Sequence, residues 1–261
     1  MIPKIIHYTW FSGDPYPELI QECINSWKKW MPDYEFRLWD MASVQDINST
    51  FLKEALNECK WAFAADVVRL YAVYHYGGIY LDTDVKVYKR FDSLLNRRAF
   101  IGRENSVHIV GRRTDSYLTS HCFGADKNHP FIGRCLHYYD NRHFITSVDD
   151  TLPMSLKYDS KILPYIQCEL AREIGYNSSL QNEDGIQECE DGLIILPKYY
   201  LDWNFDLKSQ HRYCHHYAIG GWRDRKVTED KLTIGNRIRL RIELPIQKLL
   251  EKCGYLMYKK R

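Results

Sequence analysis

Residues 65–85 read ADVVRLYAVYHYGGIYLDTDV, and the change from a helical to an extended pattern inside this stretch decides the fold. The run WAFAADVVRLYAVYHY at 61–76 is rich in Ala, Leu and Val and predicts a helix that stops at Gly77-Gly78. Ile79 to Leu81 then predicts a short strand aimed straight at Asp82 and Asp84. Charged residues are rarely buried without a partner, so an apolar strand running into two carboxylates needs a reason.

Working outward, residues 2–9 carry Ile2, Ile5, Ile6 and Tyr8 ahead of Gly13-Asp14-Pro15, which predicts a buried first strand. Between Pro17 and Trp30, Leu19, Ile20, Cys23, Ile24 and Trp27 fall on one helical face, and Met31-Pro32 ends the helix. Tyr34, Phe36 and Leu38 alternate with Glu35, Arg37 and Trp39, the pattern of a second strand. Residues 48–76 read as two helices. This strand and helix alternation is that of an α/β protein with a mostly parallel sheet, in which ligands bind off the carboxyl ends of the strands. Farther on, 99–102 and 192–197 read as strands and 130–139 and 161–174 as helices, in an order the pattern does not fix. No internal repeat or linker divides the chain, so one globular domain is expected over residues 1–235.

Composition narrows the class. The chain has 261 residues, 45% hydrophobic, which is enough for a large core. Its formal net charge of +2 argues against a surface built to hold nucleic acid. No apolar run approaches the roughly 20 residues that span a bilayer, and the start MIPKIIHYTWF has neither the apolar centre nor the small-residue cleavage site of a signal peptide, so a cytoplasmic location is expected. Eight scattered cysteines show no zinc-ligand spacing and read as reduced structural thiols. The segment 236–261 differs in charge. Arg237, Arg239, Arg241, Lys248, Lys252, Lys259, Lys260 and Arg261 face only Glu243 and Glu251, a net +6 that leaves −4 on the remainder. Ile246, Leu249, Leu250 and Cys253 share a helical face there, so this basic tail reads either as an amphipathic helix for an anionic membrane surface or as a helix docked on the core.

The two aspartates have a chemistry of their own. At i and i+2 of a strand their side chains would diverge, but at a strand end the chain turns and both can converge on one cation. Carboxylate oxygens with open positions left over suit Mg²⁺ or Mn²⁺ bridging to a substrate phosphate. Upstream, Asp66 and Arg69 lie three apart on the helix among Ala65, Val67, Val68 and Leu70, a polar pair set into an apolar segment. An ordinary ion pair has the same spacing and contributes only about 0.3–0.5 kcal/mol.

The stretch 65–85 closely resembles the sugar-binding DXD segment of glycosyltransferase family 32, which includes yeast mannosyltransferases and bacterial capsule and lipopolysaccharide enzymes, and it is similar to that of the clostridial glucosylating toxins. IPKIIHYTWFSG at 2–13, SWKKWMPDYEFRLWD at 26–40 and, more weakly, HHYAIGGW at 215–222 extend the resemblance. What it implies is a GT-A fold, a UDP- or GDP-sugar donor, a divalent metal and transfer with retention. Asp82 and Asp84 match the DXD pair, with Asp84 the direct metal ligand and Asp82 turned toward ribose, sugar or a metal-bound water. Asp66 and Arg69 match the residues that hold the donor sugar, and Trp10 matches the aromatic that stacks on the base. His216, better spaced from Trp222 than His215, is the implied third metal ligand. The departure is at the end of the last motif, where Gly220-Gly221 precede Trp222 and the usual serine is missing.

The implied activity moves a hexose or N-acetylhexosamine from a nucleotide-diphosphate sugar to a hydroxyl of a glycan acceptor of the capsule or lipopolysaccharide type, free or lipid-linked. Trp222, Arg223, Arg225 and Lys226 are candidate diphosphate donors, and Asp184 is a candidate on the acceptor side. Two alternatives stand beside it. A haloacid-dehalogenase-like phosphatase also places DxD after an apolar strand, though normally after the first strand and with Thr or Val where this chain has Lys86. A non-catalytic carbohydrate-binding domain would hold the same ligands without turnover.

Overall fold

The computed structural model describes residues 1–110, 113–149, 154–179, 185–202 and 211–219. Asp184, Trp222 with its basic neighbours, the boundary near residue 235 and the tail 236–261 lie outside them.

Helix α3 (Trp61–Tyr76) and strand β3 (Gly78–Leu81) sit where the sequence places them. Ten of the sixteen residues of α3 are buried, so it is a core helix with hardly a solvent face. Gly77 ends it with φ of +67°, and Gly78 follows at +106°. Both positions also forbid a side chain, because a Cβ on Gly78 would lie 2.7 Å from the Ile5 carbonyl oxygen and one on Gly77 2.9 Å from Pro3.

Around this hinge the chain builds β1 (Ile5–Thr9), α1 (Glu18–Trp30), β2 (Glu35–Trp39), α2 (Thr50–Asn57), β4 (Val85–Val87), β5 (Ala99–Val110) and β6 (Arg113–Ala125). It continues with α4 (Pro130–His137), α5 (Met154–Lys157), α6 (Leu163–Arg172), β7 (Gln187–Glu188), β8 (Leu193–Leu196), α7 (Lys198–Leu201) and β9 (Cys214–His216). Seven strands form one sheet in the order β2-β1-β3-β6-β5-β8-β7, and β4 pairs with β9 in a small second sheet. Strands β1, β2, β3, β5 and β8 run one way and β6 and β7 the other, so the sheet is mostly parallel, as expected.

Side chains alternate across the sheet, as the strand period requires. Tyr80, Ile101, Phe123 and Ile195 join α2, α3, α4 and α6 in one core. Ile79, Leu81, Phe100, Cys122 and Leu196 join α1, β4 and β9 in the other. Helix α1 is tied to the small sheet by Trp27, whose Nε1 donates to the Val85 carbonyl at 2.6 Å, and by Ser26 Oγ, which accepts from Val87 N at 2.9 Å.

The second strand is present as β2, and two features go beyond the local pattern. In β2 the buried residue is Trp39, while Phe36 and Leu38 are half-buried. Trp39 is drawn inward because its Nε1 donates to His7 Nδ1, while His7 Nε2–H donates to the Gly77 carbonyl. The strand expected at 99–102 is the first third of a longer strand, and its partner β6 has no counterpart in the sequence reading. Register shifts around Arg103 break the alternation that would have revealed it. The seven cysteines among the described residues are all free, and no described helix is long and apolar enough to cross a membrane.

Candidate active site

The carboxyl ends of β1 and β3 lie side by side, since Ile6 and His7 pair with Ile79 and Tyr80. The Asp82 backbone N–H donates to the His121 carbonyl at 2.9 Å, and Val85 N–H closes a turn onto the Asp82 carbonyl at 3.0 Å. That turn carries the chain from the large sheet into the small one. Asp82 therefore hangs from the end of β3 while Asp84 faces β9. Ligand atoms of Asp82, Asp84 and His216 all lie within 4.8 Å of one another. A strand end converges carboxylates that a continuing strand would separate.

Arg69 joins the helix to this pair. Its Nη2 lies 3.4 Å from Asp66 Oδ1 and 3.2 Å from Asp82 Oδ1. Nη1 donates to the Ser120 carbonyl at 2.7 Å, Nε donates to the Ala65 carbonyl at 3.2 Å, and the guanidinium stacks 4.7 Å over the Tyr80 ring. Asp66 and Arg69 are only 8% and 4% exposed, so this is no surface ion pair. The Tyr80 hydroxyl donates to Asp82 Oδ1 at 2.9 Å and accepts from Thr9 Oγ1 at 3.1 Å, which links β1 to the acidic pair.

On the other side Asp84 Oδ1 lies 3.2 Å from His216 Nε2, and its Oδ2 accepts from Ile219 N at 3.0 Å. His215, the alternate residue of β9, is buried instead against Tyr217, the rings meeting edge to face at 4.5 Å. Trp10 stands at the carboxyl end of β1, half-buried. Its Nε1 donates to the Asp14 carbonyl at 2.8 Å, and its ring meets Tyr16 edge to face at 5.0 Å. The structure thus brings Asp66, Arg69, Asp82, Asp84 and His216 together and puts Trp10 on the adjoining strand end.

Burial sets the electrostatics. It pushes the Asp66 carboxyl up, against the pull of Arg69 and with the push of Asp82, to about 7. Burial also raises Asp84, but His216 more than offsets this through charge and hydrogen bonding, and Asp84 ends well below the usual carboxylate range. His216 is lowered by burial and raised more strongly by Asp84, to about 9. A cation bound here must therefore displace a proton from His216. The donor set of two carboxylates and one imidazole fits a divalent ion such as Mn²⁺ or Mg²⁺.

Sequence reasoning passed over Tyr80, Thr9, Ser120, His121 and Asp202. Tyr80 was findable, because it stands two residues before Asp82 on the same strand face. His121 stacks on His216 with ring centroids 4.1 Å apart, yet lies in the strand that the sequence pattern did not show.

Residues 17–101 match the family described as "Glycosyltransferase sugar-binding region containing DXD motif". The chain is 36% identical over 135 residues to "Inositol phosphoceramide mannosyltransferase 3" of Schizosaccharomyces pombe, a match covering 50% of this chain and 35% of that protein. It is 28% identical over 174 residues to "Mannosyl phosphorylinositol ceramide synthase CSH1" of Saccharomyces cerevisiae, covering 59% and 41%. This chain thus spans less than half the length of these curated relatives. Among solved structures, "PaToxG Glycosyltransferase" superposes with a TM-score of 0.44 at 20% identity, over 66% of this chain and 69% of that one. The structure is thus an α/β fold with a mostly parallel sheet and an acidic pair at the end of β3, and residues 17–101 are similar to the glycosyltransferase sugar-binding region that contains the DXD motif.

Proposed function

We propose that this protein is a metal-dependent hexosyltransferase that moves a sugar from a nucleotide-diphosphate donor to an acceptor hydroxyl. One observation carries the reading: the ligand atoms of Asp82, Asp84 and His216 converge within 4.8 Å directly beside the buried Asp66 and Arg69 pair. A divalent cation there supplies positive charge to the departing diphosphate. Arg69 orients Asp82 and offers guanidinium donors to the sugar hydroxyls, while Asp66 accepts from them. Burial among apolar side chains strengthens each of these contacts. Trp10 offers an aromatic edge for the nucleotide base. No described side chain in this cluster is needed as a nucleophile, which fits same-face displacement with retention.

The relatives' names favour mannose as the sugar and a lipid-borne polyol as the acceptor over a capsule or lipopolysaccharide glycan. The basic tail then serves to hold the protein on the cytoplasmic membrane face, with about 1 kcal/mol of attraction per Lys or Arg near an anionic surface. The phosphatase alternative is disfavoured by the similarity of residues 17–101 to a glycosyltransferase sugar-binding region.

The test is a panel of GDP- and UDP-sugars with Mn²⁺, read as release of nucleoside diphosphate. One donor is expected to turn over, and Asp84→Asn to abolish turnover while the fold is kept. Activity undiminished in EDTA would sink the metal role, and release of inorganic phosphate from phosphomonoesters would favour the phosphatase. Removing residues 246–261 is expected to reduce flotation with anionic liposomes, and unchanged flotation would remove the membrane role.

A further inference from the structure

Next to the Asp82 and Asp84 cluster lies a second group of potential ligands. One ligand atom each of His121, Asp202 and His216 falls within 4.8 Å of the others. The three come from separate elements: His121 from β6, Asp202 from the residue after α7, and His216 from β9. Their positions are fixed by backbone contacts. The His121 carbonyl accepts from Asp82 N, and Asp202 Oδ2 accepts from Asn105 N at 2.6 Å.

Hydrogen bonding leaves one nitrogen of the His121 imidazole available to a metal. Its Nε2 lies 3.1 Å from the Leu201 carbonyl oxygen. A carbonyl can only accept, so Nε2 carries the proton and Nδ1 keeps its lone pair. A second nitrogen donating to a backbone carbonyl is the usual support of a metal-bound histidine. The same ring stacks on His216 at 4.1 Å and 24°, so the two imidazoles are neighbours, and one ring turns out of the stack for both in-plane lone pairs to meet a single ion.

We propose that His121, Asp202 and His216 form a second cation seat that adjoins the Asp82 and Asp84 seat, shares His216 with it, and selects borderline transition metals such as Zn²⁺ and Co²⁺. The donor chemistry differs between the two. Two carboxylates and one imidazole suit Mn²⁺ or Mg²⁺, whereas two imidazoles and one carboxylate suit Zn²⁺ or Co²⁺. His216 serves one seat at a time, so occupation of the second withdraws a ligand from the first. Zn²⁺ then opposes Mn²⁺ at the donor site by taking His216. The second seat rests on its own three residues and shares only His216 with the reading of the first.

The experiment uses the full chain, with Co²⁺ followed by visible d–d absorption, Zn²⁺ by competition with a chromogenic chelator, and Mn²⁺ by electron paramagnetic resonance. His121→Phe keeps a planar ring against His216 but removes the ligand nitrogen. It is expected to weaken Zn²⁺ binding about tenfold or more and to leave Mn²⁺ binding nearly unchanged. Asp202→Asn is expected to do the same and carries the test if the first variant fails to fold. Asp84→Asn should lose Mn²⁺ while still binding Zn²⁺ and Co²⁺. The proposal is overturned if both His121→Phe and Asp202→Asn bind Zn²⁺ as tightly as the parent, or if Asp84→Asn abolishes Zn²⁺ and Mn²⁺ binding alike. If the parent binds Mn²⁺ no better than Asp84→Asn does, the donor-site reading fails while the zinc result stands.

Discussion

Replacing Asp66 by asparagine tests the buried helix pair directly. Asp66 is 8% exposed, and its carboxyl is pushed from 3.8 to about 7 by burial, against the pull of Arg69 and with the added push of Asp82. The folded value lies above the unfolded one, so the carboxyl's contribution to stability is fully present below about pH 4 and is lost as the pH rises through about 7. At about 1.4 kcal/mol for each tenfold change, that separation corresponds to about 4 kcal/mol of stability between pH 4 and pH 8. Asparagine has the same shape and no charge to desolvate, and Arg69 keeps Asp82 and the Ser120 carbonyl as partners. The difference in unfolding free energy, Asp66→Asn minus parent, should therefore rise by about 4 kcal/mol from pH 4 to pH 8. Urea unfolding across this range, in EDTA so that no cation alters the field, measures it, and titrating groups remote from Asp66 cancel in the difference. Parallel curves for the two proteins would refute the argument. A difference of opposite slope would mean that Asp66 is simply a charged partner of Arg69. On the proposed function the same variant loses donor turnover, so stability at pH 8 and activity should move in opposite directions.

Further outcomes follow from the same geometry. Because His216 is held up to about 9 by Asp84, each bound Mn²⁺ should release close to one proton below that pH. Affinity should then rise about tenfold per pH unit up to about 9, and calorimetry in buffers of different ionisation enthalpy checks it. In EDTA the His216 contribution to stability has the raised-value sign: it is complete below about pH 6.5 and lost as the pH passes about 9. Gly78→Ala should cost about 1–3 kcal/mol by urea unfolding, because its φ is +106° and the new Cβ would lie 2.7 Å from the Ile5 carbonyl oxygen. A loss of less than about 0.5 kcal/mol would show that the helix-to-strand hinge is not sterically closed.

Much was legible without a structure. The apolar run of α3, the glycine pair and the short strand into Asp82 and Asp84 are local patterns, and local patterns survive in a single sequence because they depend on neighbours three or four residues away at most. The same holds for α1, β1 and β8. Legibility failed where partners are distant. β6 pairs through register shifts that disrupt its alternation, and the inward turn of Trp39 is set by a hydrogen bond to His7, 32 residues earlier.

The sequence by itself determined that two carboxylates close an apolar strand and that an acid and a base lie on one face of the preceding helix. Only the tertiary structure decided which of those groups meet. It set Arg69 between Asp66 and Asp82, put His216 rather than His215 beside Asp84, and brought His121 and Asp202 to the same edge. Converging ligands are defined by distances across chain separations of tens to more than a hundred residues. Those distances exist only once the two cores have packed on either side of the sheet.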